Sequence, residues 1–312
     1  MAANTMGSMT VDQLGTFVKT YTKKSMEVIR QGIDNSGLLG GAFPTSTLST
    51  PKLEVRWTHG NPGRMNVALD APVEQTNWAY KATSKDLTFD KFSFMVTDSA
   101  TDMIAAGNMA ADGIRYAMKF FADVEDYQKV TELKAKNNSN CTAAAGGYWN
   151  GDTADMEGDI IGGIETVVKY SGIKPDKVQW GVLYPSKVLK GVEQLDLIHN
   201  VQQNIKTYLK SVFPIEFYAY TPPMNAAGSQ YIDVLNNTSS DALGTSALLF
   251  VKGQDTMKSG TYSVQTMTET TRIHDVGYVT TLRHSSASLA IPLYDDSTYT
   301  TPLIYEITAV SA

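Results

Sequence analysis

Cysteine is all but missing from this sequence. Cys141 stands alone among 312 residues, which excludes an intrachain disulfide framework and any cysteine-based zinc cluster. Charge is sparse as well: charged residues make up 19%, below the roughly 25% of an ordinary soluble domain. What charge there is leans acidic, at −6 formally with a pI near 5.3, and this excludes a globally basic nucleic-acid wrapper. No apolar run approaches the roughly 20 residues of a membrane span. Met1 to Met9 lacks the basic–apolar–small-residue order of a secretion signal. No Gly-x-Ser-x-Gly elbow, phosphate loop or dinucleotide fingerprint occurs, and Gly146-Gly147 and Gly162-Gly163 fall outside a strand–turn–helix context.

The residues that could carry chemistry are scattered. Of the four histidines His59, His199, His274 and His284, none forms a helical His-Glu-x-x-His pattern. His274-Asp275 and His284-Ser285-Ser286 look like triad fragments, but neighbours along a strand point to opposite faces. Polar tips of interface strands are the expectation for them. Asp152, Asp155, Glu157 and Asp159 lack the alternating ligands and closing Glu of a calcium loop; their place before an apolar helix reads as charge at a helix N-terminus. Asn140-Cys141-Thr142 matches a glycosylation acceptor by chance length alone, and Cys141 reads as a loop thiol without a role. Lys19, Lys23 and Lys24 form the one basic concentration, which reads as a solvated face with phosphate contact as the alternative. No catalytic, cofactor or metal-ligating residue is nominated.

What the chain does have is threonine, in 34 copies, and clear changes of period. Abundant β-branched hydroxyl residues with few charges suggest extensive sheet and extensive subunit contact. At roughly 100–200 residues per domain the length fits one large domain or two. Val11, Leu14, Phe17, Val18, Tyr21, Met26, Ile29 and Ile33 recur at helical spacing, predicting one amphipathic helix from Val11 to Ile33 that Gly37–Gly41 ends. An extended arm follows through Pro51. From Lys52 the period is two: Leu53, Val55 and Trp57, then the turn residues Gly60-Asn61-Pro62-Gly63, then Met65, Val67 and Leu69. Trp78 and Tyr80 follow, and Leu87, Phe89, Phe92, Phe94 and Val96 form another strand series. A two-stranded ribbon is marginal in water on its own, so this segment is expected to pack on a neighbouring chain.

A proline-free stretch from Ala100 to Lys136 then carries Met103, Ala106, Ala110, Ile114, Ala117, Phe121 and Val124 at steps of three and four, a helix about 50 Å long. Asp98 or Ser99 can cap it. Its small residues, among them Gly107 and Gly113, allow another backbone to approach. A loop over Asn137 to Gly151 and a helix over Asp155–Tyr170 come next. Beyond them lie a buried strand at Val178–Leu183, helices at Val188–Leu195 and Val201–Val212, and a strand at Ile215–Tyr218. Strands are expected at Tyr231–Leu235, Ala247–Val251, Tyr262–Thr268, Val276–Leu282, Ala287–Pro292 and Leu303–Val310. The class is α+β, without internal repeats.

This order of arm, long-connected strands, one long helix, α/β middle and returning strands resembles the major capsid protein of tailed double-stranded-DNA viruses. That family has the Hong Kong 97-type fold, which encapsulins share. The likeness spans nearly the whole chain, and Trp180-Gly181-Val182-Leu183-Tyr184-Pro185-Ser186 followed by Lys187–Leu195 looks like the family's axial-domain element. It implies an N-terminal arm with amphipathic helix at 1–51, an extended β-hairpin loop at 52–96, a peripheral domain with the spine helix at 97–151 and 252–312, and an axial domain at 152–251. It implies a structural subunit, not an enzyme, that assembles in hexamers and pentamers into an icosahedral capsid around double-stranded DNA without sequence-specific binding. No cofactor and no membrane are implied. The expected place is the virion, with assembly in the host cytoplasm and with scaffold, portal or decoration proteins as further partners. The long N-terminal scaffolding segment of some relatives is not present, so a separate scaffold, or none, is implied. Lys81 and Lys85 lie in or near the loop, but no cross-linking residues are carried over. Trp57, Trp78, Tyr80, Phe92 and Phe94 are the candidate intersubunit contacts, since interface cores favour aromatics and deplete charge. An encapsulin-type compartment, and more distantly a sheet-rich enzyme or binding module, are the alternatives.

Overall fold

The computed structural model describes residues 10–59, 79–97, 103–137, 140–151, 154–194, 196–198, 201–221, 243–262, 267–273, 276–291 and 302–311. The elements run α1 (Val11–Lys24), α2 (Met26–Ser36), β1 (Thr45–Leu48), β2 (Lys52–His59), β3 (Ala79–Asp86), β4 (Thr88–Thr97) and α3 (Met103–Ala135). There follow β5 (Thr142–Ala144), α4 (Met156–Ser171), β6 (Trp180–Pro185), a 3-10 turn at Ser186–Val188, α5 (Leu189–Glu193), β7 (Asp196–Ile198), β8 (Val201–Gln203), α6 (Ile205–Val212) and β9 (Ile215–Tyr220). The chain closes with β10 (Ala247–Val251), β11 (Met257–Tyr262), β12 (Met267–Ile273), β13 (Gly277–Ala290) and β14 (Ile304–Thr308). It divides into two compact units. One comprises 1–53, 86–128 and 259–287; the other comprises 54–85, 129–258 and 288–312.

In the first unit the N-terminal helices are part of a core. Leu14 and Val18 of α1 meet Ala106 and Ala110 of α3, while Ile29 and Ile33 of α2 meet Ile114, Ala117 and Phe121. The expected single helix is two, because Ser25 interrupts it: its hydroxyl donates back to the Tyr21 carbonyl at 2.9 Å, as Thr22 does to Val18 at 2.8 Å. Such back-bonding competes with the regular ladder and bends helices. The expected extended arm is likewise integrated. Leu39, Ala42 and Phe43 are buried, and β1 pairs in parallel with β11 from Thr45↔Ser259 to Leu48↔Tyr262. The strand order is β1-β11-β13-β12, with β4 pairing β13 antiparallel from Thr97↔Gly277 to Thr88↔Ser286. β4 is thus a member of this sheet; the partner of β2 is β3, in a separate two-stranded sheet. Val276–Leu282 and Ala287–Pro292, expected as two strands, are one strand of 14 residues.

The long helix is there as its periodicity predicts, 33 residues from Met103 to Ala135, about 50 Å at 1.5 Å per residue. Its buried residues Ala106, Ala110, Ile114, Ala117, Phe121 and Val124 are the apolar series read from sequence. The capping candidates Asp98 and Ser99 lie outside the described residues.

The second unit is organised on the sheet β5-β14-β10-β6-β9. Every residue of β6 and β10 is buried, as continuous apolar runs demand of strands covered on both faces. Each buried Val, Leu or aromatic side chain contributes about 1.5–3 kcal/mol relative to exposure. α4 packs Ile160, Ile164 and Val167 into this core. Asp155 caps it by accepting from Gly158 N at 2.9 Å, and Gly172 ends it at φ 70, where a side chain would be strained. The expected loop at Asn137–Gly151 contributes β5, parallel to β14. The expected helix from Val201 starts only at Ile205, because Val201–Gln203 pairs with Asp196–Ile198 and Asn204 caps α6. The strand expected at Tyr231–Leu235 lies outside the described residues.

Candidate functional site

The nominated aromatics fall in three places. Trp57 is in β2 and Tyr80 in β3, on strands that pair with each other. Trp78 lies outside the described residues. Phe92 and Phe94 are in β4, half-buried, with their side chains turned onto their own chain: Phe92 stands 5.6 Å from Phe120 between ring centroids, and Phe94 lies over Gly113, where any Cβ would run into its ring. The opposite face of β4 carries Phe89, Lys91, Ser93 and Met95, all exposed. Sequence reasoning passed over this face although the signal was there. Alternation puts Phe89 and Met95 on one side of the strand and Phe92, Phe94 and Val96 on the other.

A cluster of ionisable groups that the sequence did not reveal lies under α3. His284 of β13 meets Glu125 of α3, Nε2 to Oε1 at 2.7 Å, and the other Glu125 oxygen accepts from Thr45 Oγ1 at 3.2 Å. Asp90 is the register partner of His284 in β4. The three side chains are at most 8% exposed. Burial pushes the Asp90 carboxyl above its usual range, opposed by the charge of His284 and reinforced by that of Glu125. Neighbouring Asp126 accepts from the backbone N–H of Leu38 and, at 2.9 Å, of Leu39. These carboxylates tie residues 38–45 and β13 to the long helix. The expectation that His284 is the polar tip of an interface strand is therefore corrected: it is buried within the chain, and its partner Glu125 belongs to a distant segment.

Elsewhere the polar groups have structural work. Asp159 accepts from Gly146 N at 2.9 Å and Trp149 Nε1 at 2.8 Å, holding the buried indole. Cys141, expected in a loop, is buried beside β5, and desolvation pushes its thiol up to about 11. On β9, Glu216 accepts from Lys252 Nζ at 2.8 Å and Tyr218 Oη at 2.6 Å. Those two bonds hold its carboxyl below the usual range, while desolvation and then Glu216 push Tyr218 up. An open groove of about 310 Å³ beside them is lined by Gln179, Lys210, Phe213, Pro214, Ile215 and Glu216. It brings together no nucleophile, base and orienting group of the kind a catalytic site needs. Among the described residues no three metal-ligating side chains converge, and no helix is long and apolar enough to cross a membrane.

The chain is similar to a virus-like particle subunit from Pyrococcus furiosus, at 10% identity and a TM-score of 0.59 over 92% of this chain and 99% of that one. It is similar also to the capsid of an empty GTA particle, at 11% identity and 0.57 over 88% and 90%, and to a chain of Mycobacterium phage Adephagia, at 12% and 0.56 over 87% and 89%. The chain has the Hong Kong 97-type capsid fold. No family model and no curated protein sequence matches it, so the likeness lives in the arrangement of elements. The exposed face of β4 and the two-stranded β2–β3 sheet are the candidate functional surfaces.

Proposed function

We propose that this chain is the repeating structural subunit of an icosahedral shell, the major capsid protein of a tailed virus enclosing double-stranded DNA. It acts by self-association in hexameric and pentameric rings and is not an enzyme. Its place is the virion, after assembly in the host cytoplasm with the help of a scaffold, a portal or decoration proteins. The observation that supports this reading is that the likeness to a virus-like particle covers 92% of this chain and 99% of the other, rather than one domain. Closed shells repeat a small set of interfaces, each modest beside the subunit's own core. Sparse charge and abundant threonine suit such repeated contact. The proposed anchors are Trp57, Trp78 and Tyr80 of the extended loop, with Phe92 and Phe94 as supports beneath the exposed face of β4.

Expression of the full chain, followed by size-exclusion chromatography and negative-stain imaging, tests this. Hollow particles tens of nanometres across are expected; a stable species of the monomer's 34.0 kDa under assembly-permissive conditions overturns it. The nearly complete coverage of a virus-like particle subunit supports a second reading, an encapsulin-type compartment. Particles purified with a cargo protein and no nucleic acid favour that reading, and particles filled with DNA favour the first.

A further inference from the structure

The one basic concentration in the sequence remains without a role, and the fold places it on one surface. From Gln13 to Met26 the chain has three lysines and no carboxylate, in a molecule of net charge −6. On α1, Leu14 and Val18 turn into the core, while Asp12, Gln13, Thr16, Lys19, Thr20, Lys23 and Lys24 are exposed. Lys19 and Lys23 stand one turn apart, about 6 Å along the axis. Among the described residues none of the three lysines has a hydrogen-bonded or charged partner.

A helix dipole accounts for cations in a last turn, and Lys23 and Lys24 are there. It does not account for Lys19, which stands a turn earlier, and the one exposed acid of α1, Asp12, lies two turns N-terminal of Lys19 on the same face. The chemistry also discriminates between partners. Protein interfaces favour aromatics, Met and Arg at their centres and deplete Lys; this face has lysine and threonine, while Phe17 and Tyr21 turn toward the core. Hydrated, mobile ammonium groups among hydroxyls suit a phosphate backbone met through long-range charge. We propose that the outward face of α1, centred on Lys19, Lys23 and Lys24, is a non-specific contact for the phosphates of the enclosed DNA. The inference takes its ligand from the shell reading above. Few contacts per subunit fit a shell that must hold its polymer loosely, with many copies acting together.

The test is fluorescence anisotropy of the full dispersed chain with DNA duplexes of about 20 base pairs over salt of about 50 to 200 mM. The triple variant Lys19→Gln, Lys23→Gln, Lys24→Gln is compared with Lys19→Arg, Lys23→Arg, Lys24→Arg. Each phosphate contact adds roughly 0.9 to the slope of log affinity against log salt. The Gln variant is therefore expected to lose between two and three units of slope, while the Arg variant and unrelated duplex sequences behave like the parent. Over that salt range the lost dependence corresponds to roughly 40-fold in affinity. An unchanged slope in the Gln variant, or no measurable binding by the parent, overturns the proposal. So does a fall in particle yield with DNA binding intact, which assigns the face to a second copy of the chain. Particle formation is scored separately by imaging, so failure of the shell reading is distinguishable from failure of this contact.

Discussion

Asp90, Glu125 and His284 are three ionisable groups in one interior, and Asp90 is the one whose burial makes stability respond to pH. Asp90 keeps its proton more tightly in the folded chain than in the unfolded one, chiefly because burial penalises its charge. A raised folded value means that its contribution is fully present below the unfolded pKa of about 3.9 and is lost as pH rises through the folded value. Asp90→Asn, which cannot ionise, is therefore expected to raise the melting temperature at pH 7 and to give progressively less benefit toward pH 4. Thermal melts of both proteins across that range check this; a benefit independent of pH would assign the gain to something other than charge burial. The sequence held part of this site in view. Alternation along β13 places Tyr278, Leu282 and His284 on one face, and all three are buried. What single-chain periodicity does not contain is a partner on another element far along the chain, so a polar strand residue reads as exposed until its carboxylate is known.

At the scale of elements, α3 works as a surface against which other segments seat, and its small residues decide how closely they come. Gly113 faces the Phe94 ring, so a methyl group there meets an aromatic held between the helix and β13. Gly113→Ala gains about 0.8–1 kcal/mol of helix propensity but overpacks a site that cannot give, at about 1–3 kcal/mol. A net loss of stability in chemical denaturation is expected. Gly32 of α2 is the control. Its added methyl meets the thioether of Met118, an unbranched side chain that moves aside readily, so Gly32→Ala is expected to be neutral or stabilising. If both variants lose equally, the rigidity assigned to Phe94 is not the cause. The helix itself was legible because 33 residues repeat one period without interruption. The break at Ser25 was not, since the apolar residues on either side stay in phase. Nor was the continuity of β13, whose polar middle, His284 to Ser286, is buried through bonds to α3 and β11.

For the whole molecule, the order of elements was readable and the pairing was not. Periods of two and three to four are local properties of the chain, whereas the parallel docking of β1 on β11, which joins Thr45 near the start of the chain to Ser259 near its end, is decided by what the core leaves open. The proposed intersubunit surface is one step further removed, because a single chain records only which residues are left to meet a neighbour. Here the energetics give a specific expectation for the β2–β3 segment. β2 and β3 form a sheet of two strands; Leu53 and Val55 at the start of β2 are buried within this chain, and the rest of such a sheet needs a third partner or a packed face to be stable in water. If that partner is another subunit, an aromatic of the loop contributes to assembly and not to the fold of the subunit. Trp78→Ala is then expected to lower particle yield or the temperature at which particles dissociate, while the dispersed subunit melts as the parent does. Buried aromatic anchors at interfaces commonly cost about 2 kcal/mol or more when truncated, and in a shell this cost recurs at every copy, so even a weak anchor should change the assembly midpoint. Particles of unchanged yield and heat resistance would remove Trp78 from the interface. A lowered melt of the dispersed subunit would place it in the subunit's own core instead.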